Sequence, residues 1–386
     1  MINVYRPQPL YHEHPYERLV VSDVSIKDHH VRLHISTDYP DISVKIDDIQ
    51  ISAEGRMFSG QSIGHPQPLI FLYTLPQDSD IPDQVKVFFK GNYVGRVRLK
   101  DGSPKGRVTL TAATLFKGDY RQLSCWIQHH ALLGFERFIL YFNGEVEDIL
   151  PELSACPMLI DFDIHLVSWP FSYWVEGTEM GIEGRLSFDG ENADLTNLSR
   201  DWHHAQQLML NHAVVTLRDT TEWLGIFDLD EYFHLPNSIS LRELLKGSAR
   251  DVMIFQSRWA EMTDGALPSL DDSHEFFTQR TVLAAPDWVP FPSRTKSIVR
   301  PEMIFGMGAH IPKSTSTGAR ILRVPPEHGG IYHFHCFSGK ASRRMLVNPG
   351  GQWIPVDVCL RPPGASSTLV ATNHLSWNLH HQAASE

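Results

Sequence analysis

The stretch that decides the fold is EWLGIFDLDEY, residues 222–232. Its first half is short, aliphatic and aromatic, which is typical of a strand buried inside a sheet. Its second half places three acidic residues within four positions, at Asp228, Asp230 and Glu231. Crowded carboxylates repel one another and usually need a cation. The sequence therefore predicts a strand that delivers an Asp-x-Asp pair to a pocket, where it could hold a divalent metal against a diphosphate.

The residues around this stretch alternate between strand and helix patterns. Strands are predicted at residues 108–115, 138–142, 162–167 and 252–255, and helices at residues 123–134, 198–217 and from Ser240 onward. Such an alternation predicts βαβ units and a mostly parallel, Rossmann-like sheet. Ligands of these sheets bind beyond the carboxyl ends of the strands, which is where Asp228 and Asp230 lie. The last third of the chain, rich in Pro, Gly and His, shows no regular pattern.

We predict two domains, a small all-β domain over residues 1–104 and an α/β domain over residues 105–386. The first is indicated by segments of alternating polarity at residues 30–35, 85–89 and 94–99. The last two segments flank Gly91-Asn92, a favourable hairpin turn. Short strands with frequent Pro, Gly and Asp suggest a sandwich, which could serve for packing or for acceptor binding.

Composition narrows the class of protein. The net charge of -11 argues against nucleic acid as a partner, and no run of about 18 apolar residues predicts a membrane span. The first fifteen residues do not resemble a secretory signal, and the four cysteines form no CxxC pair. We expect a cytoplasmic protein, either free or at the periphery of the inner membrane. A luminal domain that has lost its leader is the alternative.

Other residues are candidates for the same site. His333 and His335 alternate in residues 331–337, IYHFHCF, so they would share one face of a strand and one imidazole could complete a metal site. Lys296 is a candidate phosphate contact, and Lys117 is a further candidate for binding the donor. Surface positions are the alternative for each.

Two residues after the strand at 252–255 could act on a sugar. Trp259 offers an aromatic face to a sugar ring, and Glu261 a carboxylate that can take a hydroxyl proton. A core tryptophan and a surface glutamate are the alternative.

Two other functions are compatible with the Asp-x-Asp strand. Haloacid dehalogenase-like phosphatases carry such a motif, but near the start of the domain and with Thr or Val where this chain has Tyr232. A glycan-binding protein with a degenerate α/β domain is the second alternative.

The order of four segments resembles glycosyltransferase family 92 and its family-2-like bacterial relatives, which have the GT-A fold. The segments are residues 126–143, Gln207 and Asn211 with residues 222–232, residues 296–301 with residues 308–310, and residues 333–338. The similarity extends over residues 109–338 and leaves the β-rich N-terminal part outside.

The resemblance implies a metal-dependent, inverting glycosyltransferase with a GT-A domain. Its donor would be a UDP-sugar, with UDP-galactose the first candidate, and its acceptor a glycan or glycolipid hydroxyl. Asp228 would lie near the ribose and the metal, and Asp230 and His333 would bind Mn²⁺ or Mg²⁺. The catalytic base would be Glu261, with Asp264 as the second choice.

Overall fold

The protein was analysed as a computed structural model. The structure describes residues 2–14, 17–37, 44–58, 60–63, 69–77, 80–171, 204–235, 241–246, 249–291, 293–334 and 353–356. Within these ranges the chain is rich in strands, which form mixed sheets, and contains few helices.

The first hundred residues are strands and turns wherever the structure describes them. The strands are β1 Asn3–Tyr5, β2 Leu10–His14, β3 Glu17–Lys27, β4 His30–Thr37, β5 Ile49–Ala53, β6 Arg56–Phe58, β7 Gly60–Ile63, β8 Leu69–Thr74, β9 Gln84–Phe89 and β10 Asn92–Arg98. Strands β2 to β10 form two antiparallel sheets, in the orders β2-β3-β4-β8-β7 and β10-β9-β5-β6. Val24 and Leu33 of the first sheet share a buried apolar cluster with Ile51 and Val87 of the second.

Strands and α-helices then largely alternate as far as residue 255, as their sequence patterns predict, and the described elements after it are strands and short 3₁₀ turns. The elements are β11 Val108–Phe116, α1 Leu123–Leu132, β12 Arg137–Phe142, α2 Leu150–Ala155, β13 Asp163–Ser168, α3 His204–Leu217, β14 Thr221–Ile226, β15 Glu231–His234, α4 Leu241–Lys246, β16 Val252–Phe255, β17 Ser257–Met262, β18 Val282–Ala284, β19 Lys296–Val299, β20 Ile304–Met307, β21 Pro312–Thr315, β22 Ile321–Val324, β23 Gly330–Phe334 and β24 Ile354–Val356. The N-terminal part of the helix predicted over residues 198–217, together with Ser240, lies outside the described residues.

An eight-stranded sheet forms the centre of the α/β region, in the order β1-β13-β12-β11-β14-β19-β16-β22. Five of its seven neighbouring pairs are parallel, and only β19 runs against both of its neighbours. Because β19 is antiparallel to β14, the start of β19 lies beside the end of β14. Residues from both strands therefore meet at the carboxyl edge of the parallel strands.

A second sheet, in the order β15-β23-β17-β18-β24, continues directly from the Asp-x-Asp loop. Strand β23 lies between β15, to which it is antiparallel, and β17, to which it is parallel. Strands β20 and β21 form a separate hairpin.

The central sheet is buried on both faces, which explains why its strands are almost continuously apolar. Leu110 and Phe138 face the cluster that contains Trp126 of α1. Ala113 and Ile139, on the opposite face, pack in the cluster of α3. The Asp-x-Asp loop is thus attached to a strand that is fixed from both sides.

The structure differs from the sequence prediction in three places. Strand β1 pairs in parallel with β13, so residues 3–5 extend the larger sheet rather than the β-rich domain predicted over residues 1–104. The hairpin between β9 and β10 turns at Lys90 and Gly91, one position earlier than predicted, where both residues have positive φ. The last third of the chain is less irregular than predicted, because it supplies β19 and β22 and most of the second sheet. In the described part of the chain, no helix is long and apolar enough to cross a membrane.

Candidate functional site

The Asp-x-Asp loop is held in one conformation by its own backbone and by α1. Asp228 N–H donates to Glu231 Oε2 (2.9 Å), and Glu231 N–H donates back to the carbonyl oxygen of Asp228 (3.0 Å). Trp126 Nε1 donates to the same carbonyl oxygen (3.1 Å). Phe227 N–H donates to the carbonyl of Ala113 in the parallel neighbour β11 (3.1 Å). These bonds fix the direction in which the two aspartates leave the sheet.

Lys296 lies at the start of β19 and binds two of the acids. Its Nζ donates to Asp228 Oδ2 (2.8 Å) and lies 3.0 Å from Glu231 Oε2. The lysine side chain is only 5% exposed. Burial opposes its charge, but Asp228 and Glu231 outweigh burial and raise the pKa of Lys296 above its ordinary value. Lys296 therefore pairs with carboxylates in this structure, and its contact with a phosphate stays a prediction.

His333 reaches the loop from the second sheet. It lies directly opposite Glu231 in the antiparallel pairing of β23 with β15. Its Nε2 is 3.3 Å from Asp230 Oδ2, and its Nδ1 is 3.6 Å from Glu231 Oε1. Burial works against the charged imidazole, but Asp230 and Glu231 raise the pKa of His333 above its ordinary value. Phe334 N–H also donates to the carbonyl of Asp230 (2.7 Å), so the backbone holds this histidine beside the second aspartate.

Two further acids belong to the site and were not among the site residues predicted from the sequence. Glu231 is buried, and burial raises its pKa to about 7. Asp119 lies in the loop after β11; burial raises its pKa, and the charges of Asp230 and Asp228 raise it further. Asp119 reaches this point because β11 and β14 are parallel neighbours whose carboxyl ends meet. A Gly-Asp turn directly after the first predicted strand was the signal in the sequence.

The donor atoms at this edge fit a divalent metal ion. The carboxylate of Asp230 and the imidazole of His333 lie close enough to share one ion, and Mn²⁺ accepts both kinds of ligand. Besides burial, the charges of Asp230 and Asp228 raise the pKa of Asp119, and a cation at this edge would reduce that repulsion. Asp228 turns one oxygen to Lys296. One ligand atom from each of the predicted ligands Asp228, Asp230 and His333 cannot be chosen so that all three lie within 4.8 Å of one another, so Asp230 and His333, 3.3 Å apart, are the close pair.

The structure places Glu261 on the same strand face as His333. Trp259 lies opposite His333 in the parallel pairing of β17 with β23, and Glu261, two residues further along, points to the same side. Trp259 is buried, with its ring centroid 4.5 Å from that of His333 and 4.7 Å from the Arg294 guanidinium. These neighbours suit Trp259 to positioning His333 rather than to stacking on a sugar.

Two of the remaining candidates, Asp264 and Lys117, are exposed in loops. Asp264 lies in an exposed turn, where it accepts from Ala266 N–H (3.0 Å) and pairs with Arg280 (3.2 Å). Lys117 is exposed in the loop of Asp119. His335 lies outside the described residues.

A hairpin carries one more histidine to the edge of the site. His310, in the β20–β21 hairpin, has its Nδ1 3.1 Å from the carbonyl of Thr295; burial lowers its pKa, and Lys296 lowers it further. Helix α3 anchors this hairpin, because Asn211 pairs with both backbone groups of Met307 and Gln207 donates to the Met307 carbonyl (2.6 Å).

Replacing Lys296 with methionine should lower the free energy of unfolding by about 3 kcal/mol, because it leaves two carboxyl groups without their cation. The loss should be at the lower end of the range for buried pairs, since Asp228 is 39% exposed. Urea unfolding at pH 7 in EDTA measures it. The matched control Lys313→Met, at an exposed lysine of the neighbouring hairpin, should change stability by less than about 0.5 kcal/mol.

The double variant Lys296→Met/Glu231→Gln should recover part of the loss, because it removes one of the two unbalanced carboxyl groups. Equal stabilities of Lys296→Met and Lys313→Met would show that the lysine does not hold these acids together.

The sequence of this chain is similar to those of known proteins. The chain is 25% identical over 291 residues to a glycosyltransferase family 92 protein of Ricinus communis, covering 69% of this chain and 42% of that protein. A family 92 protein of rice (Oryza sativa subsp. japonica) is 23% identical to this chain over 198 residues. The match covers 51% of this chain and 27% of the rice protein. The chain therefore spans less than half the length of either relative. The crystal structure of HddC from Yersinia pseudotuberculosis aligns at 11% identity and a TM-score of 0.27, covering 58% of this chain and 88% of that one, a likeness too low to bear on the fold.

The family model extends over the whole site. The model of glycosyltransferase family 92 matches residues 107–350, which include the Asp-x-Asp loop, Lys296 and His333. This confirms the family predicted from the four segments of the sequence. The chain belongs to glycosyltransferase family 92.

Proposed function

We propose that this chain is a metal-dependent, inverting glycosyltransferase that takes a hexose from a UDP-sugar, with UDP-galactose the first candidate. The observation that carries the proposal is the 3.3 Å distance from His333 to Asp230, in the loop that also holds Asp228 at the carboxyl edge of parallel strands in a family 92 chain. A glycan or glycolipid hydroxyl would be the acceptor. The α/β region would be a GT-A domain, and the β-rich sheets before it a separate module. The cytoplasmic location stays a prediction from composition.

On the donor side, Asp230 and His333 would hold Mn²⁺ or Mg²⁺, and Asp228 would lie towards the ribose. The metal would act as a Lewis acid that neutralises charge on the leaving nucleoside diphosphate. Glu231 and Lys296 would position rather than react, since Glu231 bonds to the backbone of Asp228 and Lys296 pairs with both acids.

On the acceptor side, Glu261 would take the proton. The acceptor oxygen attacks the anomeric carbon, its proton passes to the Glu261 carboxylate, and the bond from the sugar to the diphosphate oxygen breaks. The position of Glu261 supports this role, because it shares a strand face with Trp259, which packs against His333. In this proposal Glu261 would approach the anomeric carbon from the side opposite the leaving diphosphate.

Asp230→Ala should reduce release of UDP from a UDP-sugar at saturating Mn²⁺ by at least about 100-fold, because even residues that support a metal ligand are worth 10- to 100-fold. The assay measures nucleoside diphosphate released from a panel of UDP- and GDP-sugars. Asp161→Ala, at an exposed aspartate before β13, is the matched control and should retain activity. A folded Asp230→Ala variant with near-normal turnover would remove the metal assignment.

The same prediction distinguishes the histidines. At fixed Mn²⁺, His333→Ala should weaken UDP binding in calorimetric titrations more than His310→Ala does, because His333 is the one placed 3.3 Å from Asp230. A larger loss for His310→Ala would move the ligand role to the hairpin. Failure of both UDP and GDP to bind with Mn²⁺ present would exclude a nucleotide-sugar donor.

Glu261→Gln should slow transfer to an acceptor by roughly 10²–10⁴-fold and leave UDP affinity nearly unchanged, because a general base acts on the acceptor hydroxyl alone. Transfer rate and UDP affinity are measured on the same preparation. Asp264→Asn is the comparison variant, and its effect on transfer should be small because Asp264 is engaged with Arg280 and Ala266. Normal transfer by Glu261→Gln together with slow transfer by Asp264→Asn would assign the base to Asp264.

A further inference from the structure

A second cluster of metal-binding side chains lies where the β-rich sheets meet helix α3. Asp23 of β3, His34 of β4 and His212 of α3 are almost completely buried, with exposures of 1%, 3% and 2%. One ligand atom from each residue lies within 4.8 Å of the other two. In the described part of the chain this is the only group of three such residues drawn so close together.

A bulge in β3 builds this arrangement. The register of β3 against β4 shifts between Val21 and Asp23, so Asp23 instead of Ser22 lies opposite His34. Side chains directly opposite each other in an antiparallel pair share one face, and bulges often re-aim a side chain in this way. The bulge therefore turns the carboxylate of Asp23 and the imidazole of His34 towards the same point, which His212 reaches from the helix.

The side chains of Asp23 and His212 have hydrogen-bond partners, whereas the ring nitrogens of His34 have none among the described residues. Asp23 Oδ2 accepts from the Tyr5 hydroxyl (2.7 Å) and lies 3.1 Å from His212 Nε2. The Tyr141 hydroxyl lies 2.8 Å from His212 Nδ1. Among the described residues, neither ring nitrogen of His34 meets a partner, although its ring centroid is 4.6 Å from that of His212. Burying an imidazole with two unused nitrogens is costly unless something else binds them.

We propose that Asp23, His34 and His212 bind a divalent transition-metal ion of the zinc class. Two imidazoles and one carboxylate suit Zn²⁺, which takes nitrogen at about 2.0–2.1 Å in tetrahedral geometry, so ligand atoms on one ion lie about 3.4 Å apart. The three ligand atoms, all within 4.8 Å of one another, would draw closer together on binding the ion. Tyr141 and Tyr5 would support the ligands by hydrogen bonds to His212 and Asp23, as partners of metal ligands commonly do.

The ion would connect the β-rich sheets, which supply Asp23 and His34, to helix α3 of the α/β region, which supplies His212. His212 follows Asn211, which anchors the β20–β21 hairpin through Met307, and on the same helix the carbonyl of Val215 accepts from Arg32 of β4 (3.3 Å). Because all three ligands are buried, the ion would enter during folding and exchange slowly. A metal held at the Asp-x-Asp edge, where Asp228 is 39% exposed, would exchange quickly.

The metal content of the full chain tests this proposal. The protein is purified, or refolded with ZnCl₂, and then treated briefly with EDTA and desalted. Elemental mass spectrometry should then find about one zinc ion per chain. His34→Gln should retain close to none, whereas the control His310→Gln should retain the same amount as wild type. Zinc at equal levels in wild type and His34→Gln would mean adventitious surface binding, and no zinc in refolded wild type would overturn the proposal.

A second variant gives opposite results for the two explanations. If His34 binds a metal, His34→Leu should lower the melting temperature of the zinc-loaded protein and abolish any rise on adding zinc. If His34 is only an unpartnered buried imidazole, leucine should raise the melting temperature, because it removes a buried polar group that makes no bond. The second result would also overturn the proposal, and it does not depend on catalytic activity.

Discussion

The site depends on one electrostatic constraint, which is that four carboxyl groups crowd at one edge of a sheet. Asp119, Asp228, Asp230 and Glu231 meet where β11 and β14 end, and the buried Lys296 ammonium and the His333 imidazole are their neighbouring bases. Burial raises the pKa of Glu231 to about 7 and raises the pKa of Asp119, and neighbouring carboxylates raise both pKa values further. The proposed divalent cation would reduce this repulsion, and the diphosphate of the donor would in turn balance the charge of the cation.

The topology brings these charges together from distant parts of the chain. Parallel pairing of β11 with β14 joins Asp119 to the Asp-x-Asp loop, and antiparallel pairing of β14 with β19 adds Lys296. The second sheet adds His333 opposite Glu231, and β17 adds Trp259 beside His333. Burial of the central sheet on both faces keeps these loops in register. The fold therefore holds these like charges close together, whereas carboxylates on a flexible surface would move apart.

The features of the fold and the site that depend on neighbouring residues in the sequence could be predicted from it. The apolar run before Asp228, the strand and helix alternation and the spacing of His333 each appear within a few residues. The pairing of strands that are distant in the sequence could not be inferred from local patterns. Asp119 and the buried ion pair of Lys296 with Glu231 depend on such pairings, so neither was predicted. The parallel pairing of β1 with β13 and the bulge that turns Asp23 towards His34 likewise depend on tertiary contacts. Short strands in the last third carry too few residues for a periodic pattern.

The most direct measurement of the central claim is diffraction from crystals grown with MnCl₂ and UDP, recorded above the manganese absorption edge. The account predicts an anomalous peak in contact with the Asp230 carboxylate and His333 Nε2, with the diphosphate of UDP on its other side. UDP bound at this edge without manganese between these two side chains, or manganese found only elsewhere, would contradict it.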